Sequence, residues 1–355
     1  FTESHFIEND ATLRQLEDKA PLFELAFHLG LMHRRDGEGE AFEKQMSRRF
    51  IENADLLSSL SLREVESLTR CMFGLAAGTE RRPVTVTAAW IAAGQQWRDL
   101  KPNDACMLVY LLSKEFETSG KPAVPVRRQV VDHLWNAYLK DTSGWARDQS
   151  LEGRLDLAET MGRTGFLSDQ RKKELAASLG TNLLDDPNVL PRLSEARMND
   201  LAMALGALDG ERQVKLAVRV KWRLASESWK QEPLSQQLHM MLQMAESSHP
   251  DAARLAEQIQ PHLMAQQPWK TYEAERLPAL IQRLRPESAD GQKAAPAADP
   301  YRPLRQAMAE AFVDARLLHP SRDFIEFHGE LLDVVADVGQ TKQKVIRRKL
   351  LDQAG

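Results

Sequence analysis

The sequence predicts an all-α protein, an α-solenoid of repeated helix pairs, from its composition, its apolar periodicity and its internal repeats. Leucine, alanine and methionine supply most of the apolar residues, and these side chains lose little freedom in a helix. Runs rich in valine, isoleucine and threonine are nearly absent, and 82–91 is the one stretch that resembles a strand. Apolar residues instead recur at helical spacing between polar start signals and closing Gly or Pro residues.

Internal repetition indicates how these helices are organised. Segment 60–78 places apolar residues on one helical face, and segment 193–210 repeats that pattern 133 residues later (193 minus 60), about three units of 44. Related first helices are predicted at 100–120, 150–165 and 234–250. The equivalent inward-facing positions are Leu60, Val65, Leu68, Met72 and Leu75 in the first segment and Leu193, Met198, Leu201, Leu205 and Leu208 in the second.

A second helix is predicted after each first helix. The second helices are 82–100, 125–141, 168–186, 211–229 and 250–265. About five helix pairs with a period in the forties are typical of an α-solenoid, in which each pair buries one face only against its neighbours. An irregular helical bundle with an accidental period is the alternative, and the recurrence favours the solenoid.

The predicted domain organisation places this array between two shorter helical regions. An N-terminal helical cap covers 1–55, the repeat array 56–286, and a C-terminal helical segment 301–355. Between the last two lies 287–300, which is rich in Ala and Pro and too poor in core-forming residues to pack, so we predict a linker.

Composition and charge restrict the classes of function. The net charge of −4 gives no general attraction to nucleic acid or to anionic lipid, so RNA binding would require a local basic surface. No stretch reaches the ~18–20 consecutive apolar residues of a membrane span, which predicts a soluble chain without membrane insertion. Cys71 and Cys106 lie in apolar helical stretches and resemble buried thiols, which indicates a reducing, intracellular compartment.

Motifs for catalysis are weak, and we predict a protein that is not an enzyme and needs no cofactor or metal. The sequence has no glycine-rich phosphate loop, no CxxC, no His pair at metal-ligand spacing and no nucleophile elbow. Glu326, His328 and Glu330 could be taken for an acid–base cluster. Carboxylates beside a His on an exposed helix face are usually solvated, so we interpret these three residues as solvated side chains and not as a catalytic site.

Seven tryptophans allow two interpretations. Trp90 and Trp97 are seven residues apart, as are Trp222 and Trp229, so each pair is predicted to share one face of a second helix. Such rings could be stacking platforms for bases. Ordinary apolar residues share these faces, which favours core packing between repeats.

Basic residues recur near the starts of the second helices and predict a basic edge. In a solenoid, equivalent positions line up, so the edge could follow a phosphate backbone or an acidic protein surface; ordinary solvated side chains are the alternative. Cations at a helix N-terminus oppose the macrodipole by about 0.3–1 kcal/mol each, so we expect no stabilising role for them. The candidate RNA- or anion-binding residues, which include a C-terminal cluster, are Arg81, Arg82, Arg127, Arg128, Arg171, Lys172, Lys173, Arg212, Lys215, Arg219, Arg223, Arg347, Arg348 and Lys349.

Segments LSLREVESLTRCMFGLAAG (60–78) and LSEARMNDLAMALGALDG (193–210) resemble the first helix of octotricopeptide-type and FAST-kinase-domain-type repeats of organellar RNA-binding proteins. The resemblance covers roughly 60–265 and rests on a Leu-Ser…Leu…Leu…Gly pattern. It implies a scaffold subunit of a large mitochondrial ribonucleoprotein, such as the mitochondrial ribosome, in the matrix, contacting RNA backbone and neighbouring protein subunits. The alternative is a structural subunit of an organellar protein complex with no RNA contact.

Overall fold

A computed structural model of the chain describes residues 16–32, 43–76, 86–119, 124–209, 212–245, 250–272, 276–285, 301–318, 338–339 and 343–344. Every regular element among these residues is helical and none is a strand, which confirms the predicted all-α class. The stretch that resembles a strand in sequence is helical from Val86 onward. The predicted linker 287–300 lies outside the described residues.

The chain divides into two compact units, and each is described by itself. The first unit comprises Phe1–Val189 and Leu193–Glu211, and the second comprises Leu190–Arg192 and Arg212–Gly355. The predicted division into cap, array, linker and C-terminal segment stays a prediction.

The first unit contains two interleaved sets of α-helices. In chain order they are α1 (Ala20–Met32), α2 (Ala54–Ser58), α3 (Leu62–Ala76), α4 (Val86–Ala93), α5 (Pro102–Ser119), α6 (Val124–Leu134), α7 (Leu151–Arg163), α8 (Asp169–Leu179) and α9 (Glu195–Asp209). The odd-numbered helices pack in succession: α1 on α3, α3 on α5, α5 on α7, and α7 on α9. Of these, α3, α5, α7 and α9 correspond to predicted first helices. Among the second helices, α4 packs on α6, and α8 packs on the first helix α9 that follows it.

Several helix starts in this unit are fixed by side-chain caps. Ser61 and Glu64 form a reciprocal capping box at α3, in which Glu64 Oε2 accepts from the Ser61 N–H at 2.7 Å and Ser61 Oγ accepts from the Glu64 N–H at 3.3 Å. The other Glu64 oxygen accepts from the Lys19 N–H at 2.9 Å and lies 3.6 Å from Lys19 Nζ. One buried carboxylate therefore holds the starts of both α1 and α3.

The inward-facing residues predicted for the two equivalent first helices are buried. Leu68 in α3 and Leu201 in α9 are both fully buried, and the predicted neighbours of each are also buried. Those neighbours are Leu60, Val65 and Met72 for α3, and Leu193, Met198, Leu205 and Leu208 for α9. The side chain of Leu75 lies outside the described set. The helical register read from the sequence is therefore confirmed at these positions.

The second unit contains α10 (Arg212–Ser226), α11 (Leu234–Ala245), α12 (Pro250–Gln266), α13 (Leu277–Arg283) and α14 (Arg302–Leu318). Helix α12 packs against α10, α11 and α14, and α13 packs against α11 and α14. Helices α10 and α12 are each followed by a residue in the left-handed region, Glu227 (φ 51°) and Gln267 (φ 47°). Each leads directly into a 3₁₀ turn that buries a tryptophan, Trp229 or Trp269.

All seven tryptophans are buried, with at most 7% of any residue exposed. This supports core packing and leaves no tryptophan ring as an open platform for bases. The predicted pairing along one helix face is wrong, however. Helix α4 ends at Ala93, and Trp97 lies in a separate 3₁₀ turn, Gln96–Asp99. Trp222 and Trp229 are separated in the same way by the left-handed residue Glu227.

A buried carboxylate joins α5 to the start of α4. Glu115 is 1% exposed and accepts hydrogen bonds from the backbone N–H groups of Thr87 (2.6 Å) and Ala88 (3.3 Å). Because α4 begins at Val86, these are N–H groups that have no partner within the helix. Burial raises the pKa of Glu115 to about 7, although the two N–H donors act in the opposite direction.

We expect Leu68→Ala and Leu201→Ala each to lower the free energy of unfolding by about 2–5 kcal/mol, because each would leave a cavity in a fully buried site. Leu25→Ala is the matched control, since Leu25 on α1 is 56% exposed and should change stability little. Urea unfolding would measure all three. Equal stability of the Leu68, Leu201 and Leu25 variants would show that the register is wrong.

Glu115 should make stability depend on pH. The folded state holds the Glu115 proton more tightly than the unfolded chain does. The contribution of Glu115 to the free energy of unfolding is therefore complete below its ordinary pKa of 4.5, and it is lost as the pH rises through about 7. The loss is on the order of 3 kcal/mol at most. Glu115→Gln cannot ionise, so the parent should lose stability relative to this variant between about pH 5 and pH 8.

Thermal unfolding of both proteins across this pH range measures the difference. Glu257→Gln is the control, because Glu257 is an exposed carboxylate on α12 and its variant should follow the parent at each pH. A constant offset between parent and Glu115→Gln would contradict the assignment.

Candidate functional surfaces

Two groups of predicted basic residues lie on neighbouring helices of the first unit. Arg127 and Arg128 lie in the first turns of α6, and Arg171, Lys172 and Lys173 lie in the first turns of α8. The ion pair between Arg171 of α8 and Asp132 of α6 shows that these two second helices are neighbours. The predicted alignment of equivalent basic positions along one edge stays a prediction.

Two of these five cations make contacts inside the protein. Arg127 donates from Nη2 to the carbonyl of Gly165 at 2.7 Å, and its guanidinium carbon lies 4.4 Å from the ring centroid of Phe166. Partial burial lowers the pKa of Arg127. Arg171 pairs with Asp132 of α6 at 2.8 Å and lies 5.3 Å from the centroid of the Trp135 ring.

These contacts correct the expectation that the basic edge has no stabilising role. Arg127 reaches from α6 to the turn before α8, and Arg171 reaches from α8 back to the end of α6. Opposition to the helix dipole costs each cation at most about 1 kcal/mol, and a cation–π contact with a charge-assisted hydrogen bond offsets it. The cations that remain without an ion pair to a described residue are Arg128, Lys172 and Lys173.

The basic residues of α10 belong to the second unit. Arg223 is paired with Glu232, with 3.4 Å between Arg223 Nε and Glu232 Oε1, and both side chains are mostly buried. Lys215 is half-buried and Arg219 is exposed. Arg212 lies in the first turn of α10, but its side chain is outside the described set.

Several predicted residues fall outside the described parts of the chain. They are Arg81, Arg82, Glu326, His328, Glu330, Arg347, Arg348 and Lys349. Among the residues that are described, no cluster of His, Cys, Asp or Glu side chains could hold a metal ion, and no helix is long and apolar enough to cross a membrane.

A groove between the first helices α5 and α7 was not predicted from the sequence. It has a volume of about 450 Å³ and is lined by Asn103, Cys106, Tyr110, Asp156, Glu159, Thr160, Arg163 and Thr164. Tyr110 is half-exposed, at 50%, although most large apolar side chains of the described chain are buried. No local signal marks this groove, because its two walls are far apart in sequence.

Carboxylates on α7 and α9 crowd the region beside this groove. Desolvation raises the pKa of Asp156, and the neighbouring charge of Glu152 raises it further. Desolvation also raises the pKa of Asp200, and the negative charges of Asp156, Glu152 and Glu159 raise it further. The positive charge of Arg197 lowers the pKa of Asp200. The two groups therefore belong to a field of like charges that the protein itself neutralises only in part.

The cysteines are poor nucleophiles. Burial raises the pKa of Cys71 to about 12. Cys106, at the groove wall, has a pKa raised to about 11, mainly by desolvation and further by Asp156 and Glu159. Thiols with such pKa values carry little thiolate at neutral pH. Cys71 is buried as predicted, whereas Cys106 is only half-buried.

We expect the double variant Arg127→Gln/Arg171→Gln to lower the free energy of unfolding by about 1–3 kcal/mol, because it removes two cation–π contacts, a hydrogen bond and a partly exposed ion pair. Arg128→Gln/Lys173→Gln removes the same charge from exposed side chains of the same helices, so its stability should hold or rise slightly. Urea unfolding distinguishes the two. If both double variants have the same stability, the inward contacts contribute nothing.

Comparison with known proteins adds no family to this description. No family model matches the chain, no curated protein matches it, and no solved structure matches it. The resemblance to octotricopeptide-type and FAST-kinase-domain-type repeats therefore stays a prediction.

Proposed function

We propose that this chain is a non-catalytic α-solenoid scaffold within a multi-subunit assembly, and that the exposed cations of α6 and α8 bind the backbone of RNA. The observation that carries the proposal is the ion pair between Arg171 of α8 and Asp132 of α6, which makes neighbours of the two helices that carry Arg128, Lys172 and Lys173. The resemblance stated above makes a mitochondrial ribonucleoprotein the proposed assembly.

The solenoid part of the proposal is supported by contacts between residues that are near one predicted period apart. Several side chains in the first unit contact residues 35 to 45 positions away. His133 contacts the Arg98 carbonyl (separation 35), Tyr138 donates to the Leu100 carbonyl (38) and Arg127 donates to the Gly165 carbonyl (38). Asn182 donates to Thr142 (40), and Arg197 pairs with Glu152 (45). Such spacing is the pattern expected when each helix pair contacts the next pair.

The RNA-binding part of the proposal is supported by cations that make no ion pair with a described residue of the protein. Arg127 and Arg171 are occupied by contacts within the protein, whereas Arg128 and Lys173 are exposed and Lys172 is half-buried. Phosphate groups spaced along a single strand would suit cations that follow one another from α6 to α8. The surface is small, so a modest affinity with a clear salt dependence is expected.

A protein-only assembly is the second candidate, and the carboxylates of α7 and α9 favour it. Asp156 and Asp200 lie in a field of like charge that would repel phosphate. In this version the solenoid contacts other subunits through its first helices, and the cations of α6 and α8 are solvated.

Removing the three cations tests the RNA proposal. We expect Arg128→Gln/Lys172→Gln/Lys173→Gln to bind a labelled oligouridylate more weakly than the parent. The slope of log K against log salt should become shallower by up to about 2, because each phosphate contact on a single strand contributes about 0.7. Fluorescence anisotropy at several salt concentrations gives both quantities.

Arg63→Gln/Arg70→Gln/Arg163→Gln is the matched control, because it removes the same charge from exposed residues of first helices. It should keep the parent's salt slope. Equal slopes for the parent and the α6–α8 triple variant would contradict RNA binding at this surface. Protein partners that co-purify unchanged after nuclease treatment, with no cross-linked RNA, would support the protein-only assembly instead.

A further inference from the structure

The groove between α5 and α7 combines a partly apolar lining with carboxylates. Tyr110 from α5 and the aliphatic parts of Cys106, Thr160 and Thr164 contribute apolar surface. Asp156 and Glu159 contribute carboxylates from α7. Its volume of about 450 Å³ is of the size that accommodates one or two long side chains rather than a folded domain.

The carboxylates in and beside this groove are unequally neutralised. Glu159 pairs with Arg163 at 2.6 Å, and Glu152 pairs with Arg197 at 3.4 Å. Asp156 and Asp200 make no ion pair with any described residue of the chain. Desolvation and neighbouring carboxylates raise the pKa of Asp200, which means that its negative charge is held at a cost in the isolated protein.

We propose that this groove binds a lysine- or arginine-bearing segment of a partner protein. The aliphatic stem of the incoming side chain lies against Tyr110 and Thr160, and its charged end reaches Asp156 and Asp200. Long basic side chains fit both features, because they bury their methylene stems on apolar surface while their charge stays at the rim. Lys114 Nζ already lies 5.8 Å from the centroid of the Tyr110 ring, so this ring offers the incoming side chain apolar surface for its stem, and the carboxylates bind its charge.

The charge of the groove decides against a nucleic acid as the occupant. Phosphate brought beside Asp156 and Asp200 adds like charge to groups that already repel each other, whereas a cation removes that repulsion. The occupant is therefore a basic protein segment. This site is on the first helices and does not depend on RNA binding by the second helices.

The test uses a labelled peptide of alternating alanine and arginine, with an alternating alanine and glutamate peptide as reference. Asp156→Asn/Asp200→Asn should weaken binding of the arginine peptide about tenfold, as expected for the loss of two complementary charges. The same variant should unfold at an equal or higher temperature than the parent, because it relieves the repulsion. Fluorescence anisotropy and thermal unfolding measure the two effects.

Glu24→Gln/Glu257→Gln is the matched control, since it changes the net charge equally at two exposed carboxylates far from the groove in sequence. It should bind the arginine peptide like the parent. Equal weakening in both double variants would overturn the proposal, because general negative charge would then explain the binding. Equal affinity of the parent protein for the arginine and glutamate peptides would also overturn the proposal.

Variants of Tyr110 distinguish the apolar contribution to peptide binding from the contribution of charge. Tyr110→Ala should weaken binding several-fold without a change in net charge, whereas Tyr110→Phe keeps the ring and should retain it. Equal binding by the parent and Tyr110→Ala would overturn the placement of the stem in the groove. All of these variants keep Arg128, Lys172 and Lys173, so failure of this proposal is distinguishable from failure of RNA binding.

Discussion

Four of the connections between successive helices depend on a large apolar side chain buried in a short turn. Trp97 and Trp145 occupy 3₁₀ turns of the first unit, and Trp229 and Trp269 occupy 3₁₀ turns of the second. Each ring is an anchor that the surrounding helices must enclose, because exposing it would cost several kcal/mol. The following first helix begins only a few residues later, at Pro102 after Trp97. The position of each buried ring therefore fixes where the next helix starts.

The same anchors help to explain why basic residues recur along the chain. Guanidinium or ammonium groups lie over indole rings in both units: Arg98 over Trp97, Arg154 over Trp145, Arg171 over Trp135 and Lys230 over Trp229, at 5.2–5.8 Å from the ring centroids. A long basic side chain covers the edge of a large ring while its charge stays in water. Of these four cations only Arg171 belongs to the predicted basic edge, so for this residue the positive charge has a structural role and does not by itself indicate RNA. Only cations without such a role, such as Arg128, bear on binding.

The parts of the fold that the sequence predicts are those set by local periodicity. Leu68 and Leu201 are buried because a 3.6-residue period places them on one face of a helix, and that period is visible in the sequence. The sequence pattern places Trp97 in the wrong element, because the end of α4 depends on a few backbone angles after Ala93, which no apolar pattern records. The pairing of Arg171 with Asp132 was also unpredictable, because it depends on how far α8 is shifted along α6.

Charge is distributed unevenly between the two sets of helices, and the net charge conceals this. Helices α6 and α8 carry five Lys and Arg residues against three carboxylates, whereas α7 and α9 carry six carboxylates against three Arg residues. Such a chain attracts partners of opposite charge to different helices while its overall field stays weak. The Debye length of about 8 Å at physiological salt keeps each effect local. The proposed scaffold would therefore hold an anionic and a cationic partner at once, because neither partner would have to overcome the field of the whole protein.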